Sequence, residues 1–210
     1  MESGMVPIIN HISARPSSTV WEPVPILLTG KRDGLSIFCR REKKYFWYLM
    51  RWRDDVVDIR EQFPLPVKKT SAIAEMYEIK HPMKGAQYVV MTSDFLVDYE
   101  DGTQEVFSIK SSKEDITEST RTVEKLFIEK KYWESLEVPY HLVFKEDLNI
   151  TFAENIRQAV QYYHLSEVFD STSMLKYMIA NKMLLIEDRM KEKSLNFKEL
   201  AKEYSDLIGF

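Results

Sequence analysis

Hydrophobic and polar positions change period several times along the chain, and each change marks an element. Residues 36–53 interleave the run Tyr45-Phe46-Trp47-Tyr48-Leu49-Met50 with Arg40, Arg41, Lys43, Lys44, Arg51 and Arg53, without Gly or Pro, so a helix is expected. Residues 56–65 read as a short strand stopped by Pro64. A polar, helical stretch then runs to Ile79, and His81-Pro82 breaks it. Residues 87–99 and 104–110 are extended in character, and Asp101-Gly102 between them is a strong hairpin signal. Residues 119–136 predict a helix, with Val123, Leu126, Lys130 and Trp133 at helical spacing. Residues 138–144 predict a further strand, and from Asn155 onward the pattern is helical with no strand signal.

This order suits a mixed α/β fold, a sheet flanked by helices. The expected division is a loop-rich segment over 1–35, broken by Pro7, Pro16, Pro23 and Pro25, a core domain over 36–147, and a helical domain over 148–210. No internal repeat is visible.

Composition narrows the functional classes. Of 210 residues, 44% are hydrophobic and 12% aromatic, enough to bury a core. The single cysteine, Cys39, excludes an intramolecular disulfide framework and a multi-cysteine zinc site, which favours a reducing, cytoplasmic setting. Neither a membrane span nor a signal peptide is read. With 29 basic and 33 acidic residues the net charge is -4, so bulk charge does not announce a nucleic-acid binder, although a local patch is compatible with it.

The candidate chemistry lies around the hairpin. Asp94 sits at a strand position among apolar residues, and Ser108 and Lys110 fall on one face of the returning strand. Metal-dependent nucleases use carboxylates to hold a divalent cation against a phosphate, and a lysine to orient water or stabilise developing charge. By spacing alone, an ordinary solvent-facing strand pair remains the commoner explanation of such a pattern.

Longer strings carry a resemblance. Val57-Asp58-Ile59-Arg60-Glu61-Gln62-Phe63-Pro64-Leu65, Ile79-Lys80-His81-Pro82, Thr92-Ser93-Asp94-Phe95-Leu96-Val97 and Arg121-Thr122-Val123-Glu124-Lys125-Leu126 with Tyr132-Trp133 follow in this order. Together they resemble the TnsA endonuclease family of heteromeric transposases over about residues 36–150. The resemblance implies a restriction-endonuclease-like core of the PD-(D/E)xK type and a C-terminal helical, winged-helix-like segment. It further implies Mg²⁺-dependent cleavage of the 5′ ends of a transposon, with Mn²⁺ as a substitute ion. The implied partners are double-stranded DNA at the transposon ends, an integrase-type TnsB-like transposase and an AAA+ TnsC-like regulator, with no membrane.

The resemblance also implies site residues. Asp94 matches directly as the central metal ligand. The family's helix acid falls on Glu42 if one residue is inserted near Met50, whereas an ungapped match places Lys43 there. Its Gln-x-Lys falls on Ser108-Ile109-Lys110 if the hairpin is two residues shorter, whereas an ungapped match uses Lys110 and Ser112. The expected catalytic set is Glu42, Asp94 and Lys110, with Glu42, Asp94 and the Ile109 carbonyl on the metal. Arg40, Arg41 and Lys44 are candidates for contacting phosphates. A catalytically eroded subunit bridging transposase and regulator is the alternative.

Other features have plainer readings. His81 before a proline reads as a local hydrogen-bonding residue, and His11, His141 and His164 suggest no metal cluster. The band of Met174, Leu175, Met178, Ile179, Met183, Leu184 and Leu185 is either a small helical core or a docking face.

Overall fold

The structure, a computed structural model, describes residues 41–208 apart from positions 118, 165 and 167. The expected loop-rich segment 1–35, Cys39 and the candidate phosphate contact Arg40 lie outside the described residues.

The first helix, α1 (Arg41–Trp52), leads into β1 (Val56–Pro64) and α2 (Val67–Met76). A small hairpin, β2 (Met83–Lys84) and β3 (Gln87–Tyr88), precedes the long strands β4 (Thr92–Tyr99) and β5 (Gln104–Lys110). The short α3 (Glu114–Thr117) and long α4 (Thr120–Glu134) cross to β6 (Tyr140–Phe144). Five α-helices follow among the described residues: α5 (Ile150–Ala159), α6 (Ser171–Ala180), α7 (Glu187–Glu192), α8 (Phe197–Glu203) and α9 (Ser205–Ile208). Among the described residues after 147 there is no strand.

One sheet of four strands, ordered β1-β4-β5-β6, organises the first half. β1, β4 and β5 are antiparallel neighbours, and β6 returns parallel to β5 after the helical crossover. The β4–β5 turn is the expected hairpin, with Gly102 at φ 81, a value that suits a residue without a Cβ. The extended run expected over 87–99 is divided: Val89 N–H donates to the Pro82 carbonyl and closes the β2–β3 hairpin before β4 begins.

Both sheet faces are covered. On one, Phe46 of α1 packs with Val56, Phe95, Val97, Phe107 and Ile109. On the other, Leu65, Leu96 and Val106 meet Tyr132 and Trp133 of α4. The buried stripe of α4 is Ile128, Glu129, Tyr132 and Trp133, rotated from the expected one, and Val123 is exposed. The i, i+4 pairs 128/132 and 129/133 bring the largest rings onto the sheet, and that outweighs burying a valine one turn earlier.

Helix α1 is apolar on two sides. Tyr48 and Trp52, with Tyr45 and Leu49 beside them, join the core made by α5 to α9, around Phe152, Ile156, Leu175, Ile179 and Met190. The end of α1 is tied to that core by Trp52 Nε1–H donating to Glu187 and by Lys182 Nζ donating to the Trp52 carbonyl. From the Met-rich band, Leu175 and Ile179 are core residues, whereas Met183 and Leu185 are exposed. Among the described residues no helix is long and apolar enough to cross a membrane.

Phe46 is 2% exposed between the rings of Phe95 and Phe107, at centroid distances of 5.0 and 4.9 Å. Phe46→Ala is expected to cost about 3–5 kcal/mol in urea unfolding, and Val123→Ala less than about 0.5 kcal/mol. Equal losses would contradict this assignment of the core.

Candidate active site

The regular alternation of β1 and β4 fails at one place. In β4, Phe95 and Val97 face α1 and Leu96 faces α4, yet Ser93, two residues before Phe95, also faces α4, where its Oγ accepts from Trp133 Nε1. In β1, Ile59 packs on the α1 side and Phe63 on the α4 side. The ladder pairs Glu61 with Phe95 and Phe63 with Ser93. Between these pairs Gln62 takes φ 50, a left-handed conformation uncommon outside glycine and costly unless its surroundings enforce it.

Asp94 stands at this break. The β4–β5 ladder ends at Phe95 and Phe107, so beyond that point the two strands no longer pair. The Asp94 carboxylate fills the gap, its Oδ2 accepting the Ile109 backbone N–H at 2.8 Å. Its Oδ1 accepts from Lys43 Nζ at 2.5 Å and from Gln62 Nε2 at 3.4 Å. Gln62 is held in turn by Thr92 Oγ1, which donates to its Oε1.

The phase of α1 decides which side chain reaches Asp94. Lys43, Phe46, Trp47 and Met50 fall on one stripe, three or four residues apart, and the last three pack on the sheet cluster. Glu42 lies one residue, or 100° of helix, away, on the stripe of Tyr45 and Leu49 that packs against the helical core. Lys43 therefore heads the sheet-facing stripe.

Two further carboxylates lie close by. Glu61 is half-buried, and burial pushes its carboxyl up to about 7, opposed only by the nearby Lys43 ammonium. Glu129 of α4 is 5% exposed and also pushed up, chiefly by burial. It accepts from Ser108 Oγ at 2.7 Å and Tyr140 hydroxyl at 3.3 Å, and Ser93 hydrogen-bonds it as well. Lys110 lowers its carboxyl and Asp94 raises it, which places both charges within electrostatic reach of Glu129. His81 is a structural residue, its ring nitrogens engaged by Thr70 Oγ1 and the Pro82 carbonyl.

Residues 53–145, which hold this strand break together with Asp94, Ser108 and Lys110, match the family described as TnsA-like endonuclease N terminal. Over this segment, less than half of the chain, the protein is similar to TnsA-like endonucleases. It is 39% identical over 107 residues to the Transposon Tn7 transposition protein TnsA of Escherichia coli, a match covering 51% of this chain and 39% of that protein. The matched stretch thus spans about two fifths of the relative's length.

Against the site residues that the resemblance implies, the placements are uneven. Asp94 stands at the strand break. Lys110 ends β5 on the face of Ser108 and Glu129, whereas Ser112 lies past the strand and hydrogen-bonds Glu114. Ile109 meets Asp94 through its amide N–H. None of the hydrogen bonds to Asp94 just described comes from Glu42. Arg41 is exposed at the start of α1, and Lys44 lies over the Tyr48 ring at 6.0 Å.

A divalent ion asks for several oxygen donors around one point. Here Asp94 Oδ1 faces an ammonium and its Oδ2 a backbone N–H. Among the described residues no three acidic, histidine or cysteine side chains converge as a cation site. The residues as arranged do not fit the ion that the TnsA resemblance implies. Neither Glu129 nor Glu61 stands out as a candidate in the sequence. The signal for Glu129 was present, since it precedes Trp133 by one turn on an apolar stripe.

Glu61 binds its proton more tightly in the folded state, about 7 against 4.5, so stability is expected to fall as pH rises from 4.5 to 7 and to stay reduced above. Glu61→Gln should remove that loss, gaining roughly 1–2 kcal/mol at pH 8 relative to pH 4 once screening at a half-buried site is allowed for. Thermal unfolding of both proteins across that range checks it, and an unchanged difference would refute the buried-carboxyl assignment.

Proposed function

We propose that this chain is a DNA endonuclease subunit of a heteromeric transposase, cleaving the 5′ ends of the transposon in cut-and-paste transposition. The observation that carries the reading is Asp94, set by a break in strand alternation into the gap between β4 and β5, within the TnsA-like segment. Its substrate would be double-stranded DNA at transposon ends. An integrase-type TnsB-like transposase would act on the 3′ ends, and an AAA+ TnsC-like ATPase would regulate both, in the cytoplasm.

In this reading Lys110 stabilises charge developing on the scissile phosphate, while Arg40, Arg41 and Lys44 add sequence-independent contacts to the backbone. The resemblance assigns a divalent ion, Mg²⁺ or Mn²⁺ in its place, to Glu42, Asp94 and the Ile109 carbonyl. Both Asp94 oxygens are engaged by donors, Lys43 and Gln62 on Oδ1 and the Ile109 N–H on Oδ2, so no step is derived through the ion. The restriction-endonuclease-like assignment of the core is supported by a sheet held between α1 on one face and α2 and α4 on the other. The winged-helix-like assignment of the C-terminal part comes from the resemblance, and the described residues there form helices with no strand for a wing. The division at residue 147 belongs to the same proposal, with α1 buried against both parts.

The second reading, an eroded subunit that bridges transposase and regulator without cutting, is favoured by the Lys43–Asp94 pair. Cleavage of end-labelled transposon DNA with both partners present separates the two. Under the endonuclease reading Asp94→Ala loses 5′ nicks while folding and partner binding persist. Lys110→Ala should lose about 10²–10³-fold in rate, and Ser112→Ala should cut normally. Wild-type cutting by Asp94→Ala would remove the site. An absence of 5′ nicks from wild type, beside normal 3′ cutting, would select the bridging subunit.

A further inference from the structure

We infer that Lys43 is the built-in cation of this site, and that its ammonium excludes divalent ions from Asp94 in the free protein. The inference stands apart from the proposed function, because it concerns what occupies Asp94 and not whether DNA is cut. The Lys43 and Asp94 side chains are only 17% and 11% exposed, and their charged atoms are 2.5 Å apart. At such depth two opposite charges are weakly screened, and so would be the repulsion between an ammonium and an arriving divalent ion. An ion reaching Oδ1 would meet the ammonium at close range on an oxygen that already accepts from Lys43 and Gln62.

The contact is also mechanically fixed. Lys43 lies one turn before Phe46, which is clamped between Phe95 and Phe107, and the opposite side of α1 is anchored in the helical core by Tyr48 and Trp52. The stem of Lys43 therefore starts from a helix that neither face allows to rotate. Asp94 is equally constrained, since its Oδ2 completes the end of β5 through the Ile109 N–H. Turning the carboxylate toward a new cation would leave that buried donor without a partner. Gln62, held at φ 50, adds a second donor to Oδ1, the third to the carboxylate. Each of the three hydrogen bonds to the carboxylate comes from a donor, and the nearby acids Glu61 and Glu129 make none of them, so the surroundings are built for a carboxylate already neutralised.

Mn²⁺ titration followed by electron paramagnetic resonance, on the full chain without DNA, tests this directly. Wild type and Asp94→Asn are expected to bind Mn²⁺ alike, because Asp94 contributes nothing in either. Lys43→Gln should gain a site at least about tenfold tighter than any in wild type, visible also as a rise in melting temperature on adding Mn²⁺. That site should vanish in Lys43→Gln/Asp94→Asn, and Lys43→Arg should stay closed. Mn²⁺ binding by wild type that is lost in Asp94→Asn would overturn the inference, as would a folded Lys43→Gln that gains nothing. If circular dichroism shows Lys43→Gln unfolded, the comparison of wild type with Asp94→Asn decides alone: equal binding supports the inference and Asp94-dependent binding ends it.

Discussion

A carboxylate that takes over a backbone hydrogen bond organises the first half of this molecule. Strands β4 and β5 part after Phe95 and Phe107, and a buried amide at Ile109 would be left without a partner. Asp94 supplies one. To do so its side chain must point into the gap between the strands and not to either face, which requires the alternation of β4 to break. The neighbouring strand breaks with it, at Gln62, whose left-handed backbone is the cost of keeping Glu61 and Phe63 in register. The ionised Asp94 then needs a cation close by, and α1 delivers Lys43.

That delivery depends on a helix with two cores. One side of α1 packs on the sheet and the other on α5 to α9, so its rotation is set by both at once. A helix facing a single core could turn by some tens of degrees and bring a neighbouring residue forward. Here a turn that moved Glu42 toward Asp94 would pull Tyr45 and Leu49 out of one core and press Phe46 against the wrong part of the other. The charge at the site is therefore coupled to the packing of a helical segment far along the chain.

Beneath Asp94 the second carboxylate, Glu129, shows how a buried acid is tolerated. Hydroxyls of Ser93, Ser108 and Tyr140 surround it, and Trp133 donates to Ser93 behind them. Burial favours the protonated form, and this network of hydrogen-bonding groups satisfies its oxygens without an ion pair at contact distance. The same face of β5 carries Lys110 to the edge of the network, which joins α4 electrostatically to the site.

Much of the architecture was legible along the chain, because strands and helices impose periods of two and 3.6 on residues close in sequence. Strand β1 stopping at Pro64, the Asp101-Gly102 hairpin, the long helix after Ser119 and the helices of the described C-terminal part followed from such local patterns, as did the likeness to TnsA proteins, through the strings themselves. The split of the 87–99 run and the rotated stripe of α4 were not legible, since each depends on which rings a distant strand presents. The site was legible only at its centre. Asp94 could be placed from its string, but the choice between Glu42 and Lys43 as its neighbour on α1 depends on two cores closing on opposite sides of one helix. Local sequence constrains local dihedrals; the identity of the charge that faces Asp94 is a property of the packed whole, and only the tertiary structure decided it.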